Sequence, residues 1–190
     1  HIILATGAHP KDIPNLTVDG EVIITSREAL ELKTVPSSLL IVGGGATGVE
    51  FAHLYNSYGA DVTIVERMES LLPNEDRDIS ELLEKSFVRQ GIRVLTAYSI
   101  LDTIKENGTL HVTLQGPLGQ EKYSFEKLLL ATGVEGNTEG IGLENLGIAV
   151  KNGFIDIDER MRTNRSNVYA IGDVTGKLLL AHVASAQAMV

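Results

Sequence analysis

The run Leu39-Leu40-Ile41-Val42-Gly43-Gly44-Gly45-Ala46-Thr47-Gly48-Val49-Glu50 constrains this chain more than any other stretch. Four apolar residues predict a buried strand, and Gly43, Gly45 and Gly48 follow in G-x-G-x-x-G spacing. An apolar, helix-compatible segment runs on to Tyr58, where Gly59 ends it. Residues 61–65 predict a second strand, closed by Glu66. Each part has a physical task. Gly43 permits the tight turn out of the strand, Gly45 lets backbone approach a pyrophosphate, and Gly48 lets the helix pack close to the strand. The helix N-terminus offers unpaired N–H groups and the positive end of its dipole. Glu66, eighteen residues past Gly48, stands where a carboxylate can accept both hydroxyls of an adenosine ribose. The order of these parts implies a dinucleotide-binding βαβ unit. The plainer alternative is a glycine-rich turn in a doubly wound sheet that holds no ligand.

Composition narrows the rest. The 190 residues suffice for one large domain, or a domain plus pieces of another. The formal net charge of −9 argues against a nucleic-acid partner. No apolar run is long enough to span a membrane and no signal peptide is evident, so a cytoplasmic protein without a membrane partner is expected. With no cysteine, thiolate nucleophiles, disulfides and thiolate metal sites are excluded from these residues. The five histidines show no metal-ligand spacing, and His9, His53 and His111 read as surface or packing residues. No metal site and no catalytic residue is expected. The absence of an initiator Met, a start inside an apparent strand and an end in mid-helix lead us to expect an excised fragment.

Along the chain, residues 2–7 read as a buried strand ending in a glycine turn, and Thr25 or Ser26 caps a short helix with Glu28 in its first turn. A helix is expected from about Asp76 to Gln90, with Ile79, Leu82, Leu83 and Phe87 on its buried face. Gly91 ends it, and residues 92–95 make a third short strand. The period then changes. Segments near 98–104, 109–115 and 121–125 are β-like, with Asn107-Gly108 and Gly116-Pro117-Leu118-Gly119 as turns. These predict a three-stranded antiparallel meander inserted before residues 128–133 return to the parallel sheet. Ile-Ile-Leu-Ala-Thr-Gly at 2–7 and Leu-Leu-Leu-Ala-Thr-Gly at 128–133 nearly repeat each other. Residues 168–173 give another buried strand ending in an acid, and a helix is expected from about Leu180 to the end.

Together these motifs resemble the pyridine nucleotide–disulfide oxidoreductase family, most closely its dihydrolipoamide dehydrogenase branch. The resemblance rests on Ala5-Thr6-Gly7 with Pro10, Glu28-Ala29-Leu30, the glycine motif with Glu50, and Ala131-Thr132-Gly133. Thr163 followed by Tyr169-Ala170-Ile171-Gly172-Asp173, and Leu180-Ala181-His182, complete it. It implies an α/β fold, with a Rossmann-like parallel sheet, the inserted meander and flanking pieces of an FAD domain. Residues 1–25 would end a first FAD segment, 26–152 would be an NAD domain, and 153–190 would begin the returning FAD segment. The implied parent is a homodimeric oxidoreductase that oxidises dihydrolipoamide with NAD⁺ through FAD and a redox disulfide, with a 2-oxo acid dehydrogenase complex as an expected partner. Both cysteines would lie outside this chain, which alone would be inactive. A sister reductase of the glutathione- or mercuric-reductase type, and a non-catalytic dinucleotide-binding module, are the alternatives.

The resemblance also implies site residues. Gly43, Gly44, Gly45 and Gly48 would hold the NAD pyrophosphate, with Ala46 and Thr47 at the helix start. Glu50 would lie near the nicotinamide end, Glu66 at the ribose, Ile100 near adenine and Gly133 beside the nicotinamide. Thr6 and Gly7 match a flavin-domain turn, and Asp173 an acid for a ribityl hydroxyl. Leu179, Leu180, Ala181 and His182 match a helix start whose dipole stabilises reduced, anionic flavin. Blander roles stand beside these: Glu50 as a first-turn helix acid, Asp173 as a helix cap, Ile100 as core, and His182 as a residue that uses only its backbone. Glu66 favours NAD over NADP because a carboxylate repels a 2′-phosphate, and Arg67 reads as solvated or stacked on adenine. Two departures stand out: Val134-Glu135-Gly136-Asn137 replaces an Arg-Arg-Pro-Asn-like run, and Ala46 replaces a larger residue.

Overall fold

The structure, a computed structural model, describes residues 1–14 and 16–190. In chain order it contains β1 (Ile2–Leu4), β2 (Ala8–Pro10), β3 (Ile23–Ile24), α1 (Ser26–Glu31), β4 (Ser38–Val42), α2 (Ala46–Ser57), β5 (Asp61–Glu66) and α3 (Arg77–Arg89). Then follow β6 (Arg93–Thr96), β7 (Ser99–Glu106), β8 (Thr109–Gly116), β9 (Gly119–Phe125), β10 (Lys127–Leu130) and β11 (Val134–Gly136). The chain closes with α4 (Leu143–Leu146), β12 (Val150–Lys151), β13 (Phe154–Ile155), β14 (Val168–Ala170) and α5 (Ala181–Gln187).

These elements form two compact units, residues 12–133 and residues 1–11 with 134–190. The expected boundaries at 25/26 and 152/153 differ from these divisions for a simple reason. β3 is a strand of the larger unit's sheet, paired with β10, while β11 pairs with β2 in the smaller unit.

The larger unit carries a five-stranded parallel sheet in the order β3-β10-β4-β5-β6. Both of its faces are covered, which is why its strands read as continuous apolar runs. Leu39, Ile41, Val62, Ile64 and Leu129 point to one face, against Ala29, Val49, Phe51, Ala52, Tyr55 and Phe87 of the helices. Leu40, Val42, Val65, Leu128 and Leu130 point to the other, against Leu110, Val112, Leu114 and Phe125. The meander β7-β8-β9 is therefore the second cover of the sheet, and the period-2 pattern of β8 follows from having one face on the core. Asn107 and Gly108, with φ of +51° and +79°, close the β7–β8 hairpin as a two-residue turn. A Cβ on Gly116 would lie 2.3 Å from the Tyr98 ring, so Gly116 makes room for that ring.

Two apolar expectations are corrected. Helix α3 buries Ser80 and Phe87 and half-buries Leu83, whereas Ile79 and Leu82 are 53% and 61% exposed. The inward stripe is 80, 83, 84, 87, where Leu83 and Phe87 pack on the core and the Ser80 hydroxyl donates to the Leu72 carbonyl. Strand β1 forms but is not buried at Ile2 and Ile3, because among the described residues it belongs to a two-stranded sheet with β14.

In the smaller unit, β1 and β14 pair in parallel, β2 and β11 antiparallel, and β12 and β13 form a hairpin. Its core is Leu143, Ile148, Ile155, Ile157, Val168, Ala170 and Val174. The helix expected from Leu180 to the end is the seven-residue α5, which buries no side chain.

Candidate functional site

The glycine turn is built from the strand upward. At the end of β4 the Gly43 N–H donates to the Val65 carbonyl at 2.8 Å, carrying the β4–β5 ladder one residue past the strand. Gly43 then turns with φ +110°, and a Cβ there would lie 2.3 Å from the Ala131 carbonyl oxygen. At Gly48 a Cβ would lie 1.9 Å from the Gly43 carbonyl oxygen, so strand and helix approach as closely as backbone allows. Gly45, the N-cap of α2, is different: a Cβ there would meet nothing within 4 Å, and no side chain caps the helix. The first turn of this twelve-residue helix therefore carries no side-chain cap, and the space beside Gly45 is open. Ala46 and Thr47 are exposed beside it.

Glu66 closes this site from β5. Its Oε2 accepts from the Gly44 N–H at 2.7 Å and its Oε1 from the Met68 N–H at 2.8 Å. The carboxylate is therefore fixed at the edge of the turn, and each oxygen retains a lone pair for a further donor. Gly44 has no room for a side chain, since a Cβ would lie 2.6 Å from Leu71 and 3.1 Å from the Glu66 Cβ. Gly133, exposed with φ +95°, follows β10 two residues after Ala131, whose N–H bonds to the Val42 carbonyl at 2.8 Å. Ile100 is half-buried against the meander core. Arg67 is exposed. Glu50 is the fifth residue of α2 and exposed, so it is not a first-turn helix acid.

The meander is tied to this edge. The Tyr98 N–H bonds to the Glu66 carbonyl at 3.0 Å. The Tyr98 and Tyr123 hydroxyls donate to the two oxygens of Glu121 at 2.7 and 2.6 Å. These bonds hold the Glu121 carboxyl below its usual range and push both phenols up.

The remaining expected residues lie in the smaller unit. Thr6 and Gly7 form a network with Asn137. The Thr6 hydroxyl donates to the Asn137 carbonyl at 2.8 Å, the Asn137 side-chain amide donates to the Thr6 carbonyl at 2.7 Å, and the Asn137 N–H to the Gly7 carbonyl at 2.9 Å. His9 contacts the Asn137 Oδ1 at 2.7 Å. Sequence reasoning marked 134–137 only as a departure, yet Gly136 lies so close to the Gly153 carbonyl that a Cβ would fall 2.7 Å from it. Asp173 is half-buried in a 3-10 turn, Gly172–Thr175, capped by Ile171, so it is not the helix cap. Leu179, Leu180, Ala181 and His182 are exposed at the start of α5. Among the described residues no cluster of His, Asp or Glu could hold a metal ion, and no helix is long and apolar enough to cross a membrane.

The residues that sequence reasoning missed are Met68, Leu71, Leu72 and Glu84, around the turn. The Leu72 N–H donates to the Gly44 carbonyl at 2.8 Å, and the Leu71 N–H to Glu84 at 2.9 Å. No local signal marks them: Met68 and Leu72 act through backbone groups, and Glu84 through a carboxylate that reaches backbone thirteen residues away.

Known proteins resemble the chain over its whole length. The chain is 48% identical over its whole length to the dihydrolipoyl dehydrogenase of Chlorobaculum parvum and 40% identical to that of Bacillus subtilis. It spans about two fifths of their length, 41% and 40%. The crystal structure of LpdA from Mycobacterium tuberculosis superposes with a TM-score of 0.87 at 36% identity, covering 97% of this chain and 40% of that one. The Cu(II) complex of the HOCl-induced flavoprotein disulfide reductase RclA from Escherichia coli gives 0.87 at 31% identity, covering 98% and 42%. Residues 1–188 match the pyridine nucleotide-disulphide oxidoreductase family, and the chain belongs to that family.

Proposed function

We propose that residues 12–133 bind NAD(H) at the glycine turn, and that the chain is the NAD-binding portion of a flavoprotein that oxidises dihydrolipoamide. The observation that carries the nucleotide reading is the placement of Glu66. Its carboxylate is pinned to the Gly44 and Met68 N–H groups beside a helix start that no side chain caps. Gly43 to Thr47 offer backbone to the pyrophosphate, and the space at Gly45 suits a phosphate oxygen where a methyl group would stand in its way. Glu66 takes the ribose hydroxyls. Glu50, Ile100 and Gly133 contribute to the nicotinamide and adenine ends.

The dihydrolipoamide assignment rests on identities of 40% and 48% to dihydrolipoyl dehydrogenases, against 31% to the reductase RclA. FAD would supply the electron relay between dithiol and nicotinamide, with Thr6, Gly7, Asp173 and Leu179 to His182 as this chain's contribution to holding it. The redox disulfide would come from elsewhere, since these 190 residues contain no cysteine. The chain's own part is to bind and orient NAD, and by itself it turns over no lipoamide.

Titration of the chain with NADH and NADPH, followed by nicotinamide fluorescence, tests the reading. A carboxylate beside a 2′-phosphate costs about 1–3 kcal/mol at moderate dielectric, so NADPH should bind roughly ten- to a hundredfold more weakly. Glu66→Ala should weaken NADH and narrow that gap. Equal or tighter NADPH binding, or NADH binding untouched by Glu66→Ala, would overturn it.

A further inference from the structure

The glycine turn is held from beneath by a loop that the reading above does not use. After β5 the chain loops to α3, and Leu71 is fully buried within it. The Leu72 N–H donates to the Gly44 carbonyl at 2.8 Å, although Leu72 has φ +47°, a conformation that residues with a Cβ rarely adopt. Three bonds hold the loop there. Glu84 Oε1, on the inward stripe of α3, accepts from the Leu71 N–H at 2.9 Å. The Leu72 carbonyl accepts from the Glu75 N–H at 2.8 Å and from the buried Ser80 hydroxyl at 3.4 Å.

The consequence for the turn is geometric. Gly44 is pinned at both ends, its N–H by Glu66 and its carbonyl by Leu72. In a planar trans peptide the N–H points opposite to the carbonyl. Directing the Gly44 carbonyl at Leu72 therefore directs the Gly45 N–H away from the loop. We infer that Glu84, through the Leu71–Leu72 loop, is a positioning residue that aims the Gly45 N–H at the dinucleotide pyrophosphate. This rests on the NAD reading above and deepens it.

The test uses the 190-residue chain with Glu84→Ala, Glu84→Gln and, as a control on the same helix, Glu81→Ala. Among the described residues, Glu81 pairs with the surface cations Arg77 and Lys85. Affinities are measured for NADH, for ADP-ribose and for adenosine, which lacks phosphate. Loss of one anchoring hydrogen bond corresponds to roughly a tenfold weaker Kd. Glu84→Ala should show that loss for NADH and ADP-ribose and leave adenosine within about twofold. Glu84→Gln should restore wild-type affinity, since its amide oxygen still accepts from Leu71, and Glu81→Ala should change nothing. Amide exchange in the ligand-free chain should show Leu72 protected in wild type and faster in Glu84→Ala. Equal losses for all three ligands, a Gln variant as weak as the Ala variant, or unchanged Leu72 exchange would overturn the inference while leaving the NAD site in place. A wild-type chain with a protected Leu72 amide that binds neither NADH nor ADP-ribose would overturn the NAD reading, and this inference with it.

Discussion

Gly48→Ala separates two effects of opposite sign. Inside an exposed helix, replacing Gly by Ala stabilises by about 1 kcal/mol, because glycine has the greater backbone entropy to lose. Gly48 lies in the first turn of α2, but its side chain would point at β4. The added methyl would lie 1.9 Å from the Gly43 carbonyl oxygen and 3.0 Å from its carbon. Relief needs a shift of about 1 Å, and the obstacle is backbone that is itself fixed by the Gly43–Val65 bond. Overpacking of this kind costs about 1–3 kcal/mol and more where the obstacle cannot rotate away, so it outweighs the helix gain. The expected net loss is about 2 kcal/mol, which for a chain of this length lowers Tm by about 4–8 °C. Gly45→Ala is the matched comparison. Its methyl meets nothing within 4 Å, so stability should fall by no more than about 1 kcal/mol, the cost of Ala at an N-cap. NADH affinity, in contrast, should drop sharply. Urea unfolding and NADH titration of both variants provide the assay. A Gly48→Ala chain as stable as wild type, or a Gly45→Ala chain with full NADH affinity, would refute the reasoning.

Other substitutions test the supporting structure. In Gly116→Ala the new methyl displaces the Tyr98 ring, which lies 2.3 Å from the Cβ position, and breaks the Tyr98–Glu121 bond. We expect a loss of about 1–2 kcal/mol and a tyrosine that ionises at lower pH than in wild type, read from tyrosinate absorbance. Glu28 completes a capping box, taking the Thr25 hydroxyl and N–H at 2.6 and 2.8 Å, and these bonds hold its carboxyl below the usual range. Its contribution is therefore full above the ordinary carboxylate range and is lost as pH falls through the depressed value. Glu28→Gln should cost about 1 kcal/mol near neutral pH and almost nothing in strong acid, measured by urea unfolding.

What the sequence made legible divides along a physical line. The glycine motif could be read because Gly43 and Gly48 stand where a Cβ is forbidden by backbone, while Gly45 stands at an open space where a Cβ meets nothing within 4 Å. The alternating and continuous apolar runs were equally legible, because the parallel sheet is covered on both faces and the meander on one. The buried face of α3 was not. Ile79 and Leu82 are more apolar than Ser80, so a hydrophobic pattern turns the helix the wrong way. The inward face also carries Ser80 and Glu84, which bond backbone of the preceding loop, and periodicity carries no information about such bonds. The same reason hid Asn137. Its side-chain amide closes on Thr6 across 131 positions of sequence, and nothing at either end announces the partner.

The Leu71–Leu72 loop is the sharpest case. A positive φ normally advertises itself as Gly or Asn, yet here it falls on a leucine. Leucine serves because the neighbouring Leu71 side chain fills the space under Gly44, and the φ of Leu72 brings its N–H to the Gly44 carbonyl. The strain, about 1–3 kcal/mol for such a residue, is offset by the bonds that the segment accepts from Ser80 and Glu75 and donates to Glu84. A Leu72→Gly chain would relieve the strain but enlarge the unfolded ensemble and lose the half-buried Leu72 side chain from the core, so urea unfolding should show a net loss of about 1–2 kcal/mol. The glycine motif thus gives the place of the site. The orientation of its N–H groups comes from a second segment, some thirty residues on, whose leucines look like ordinary core.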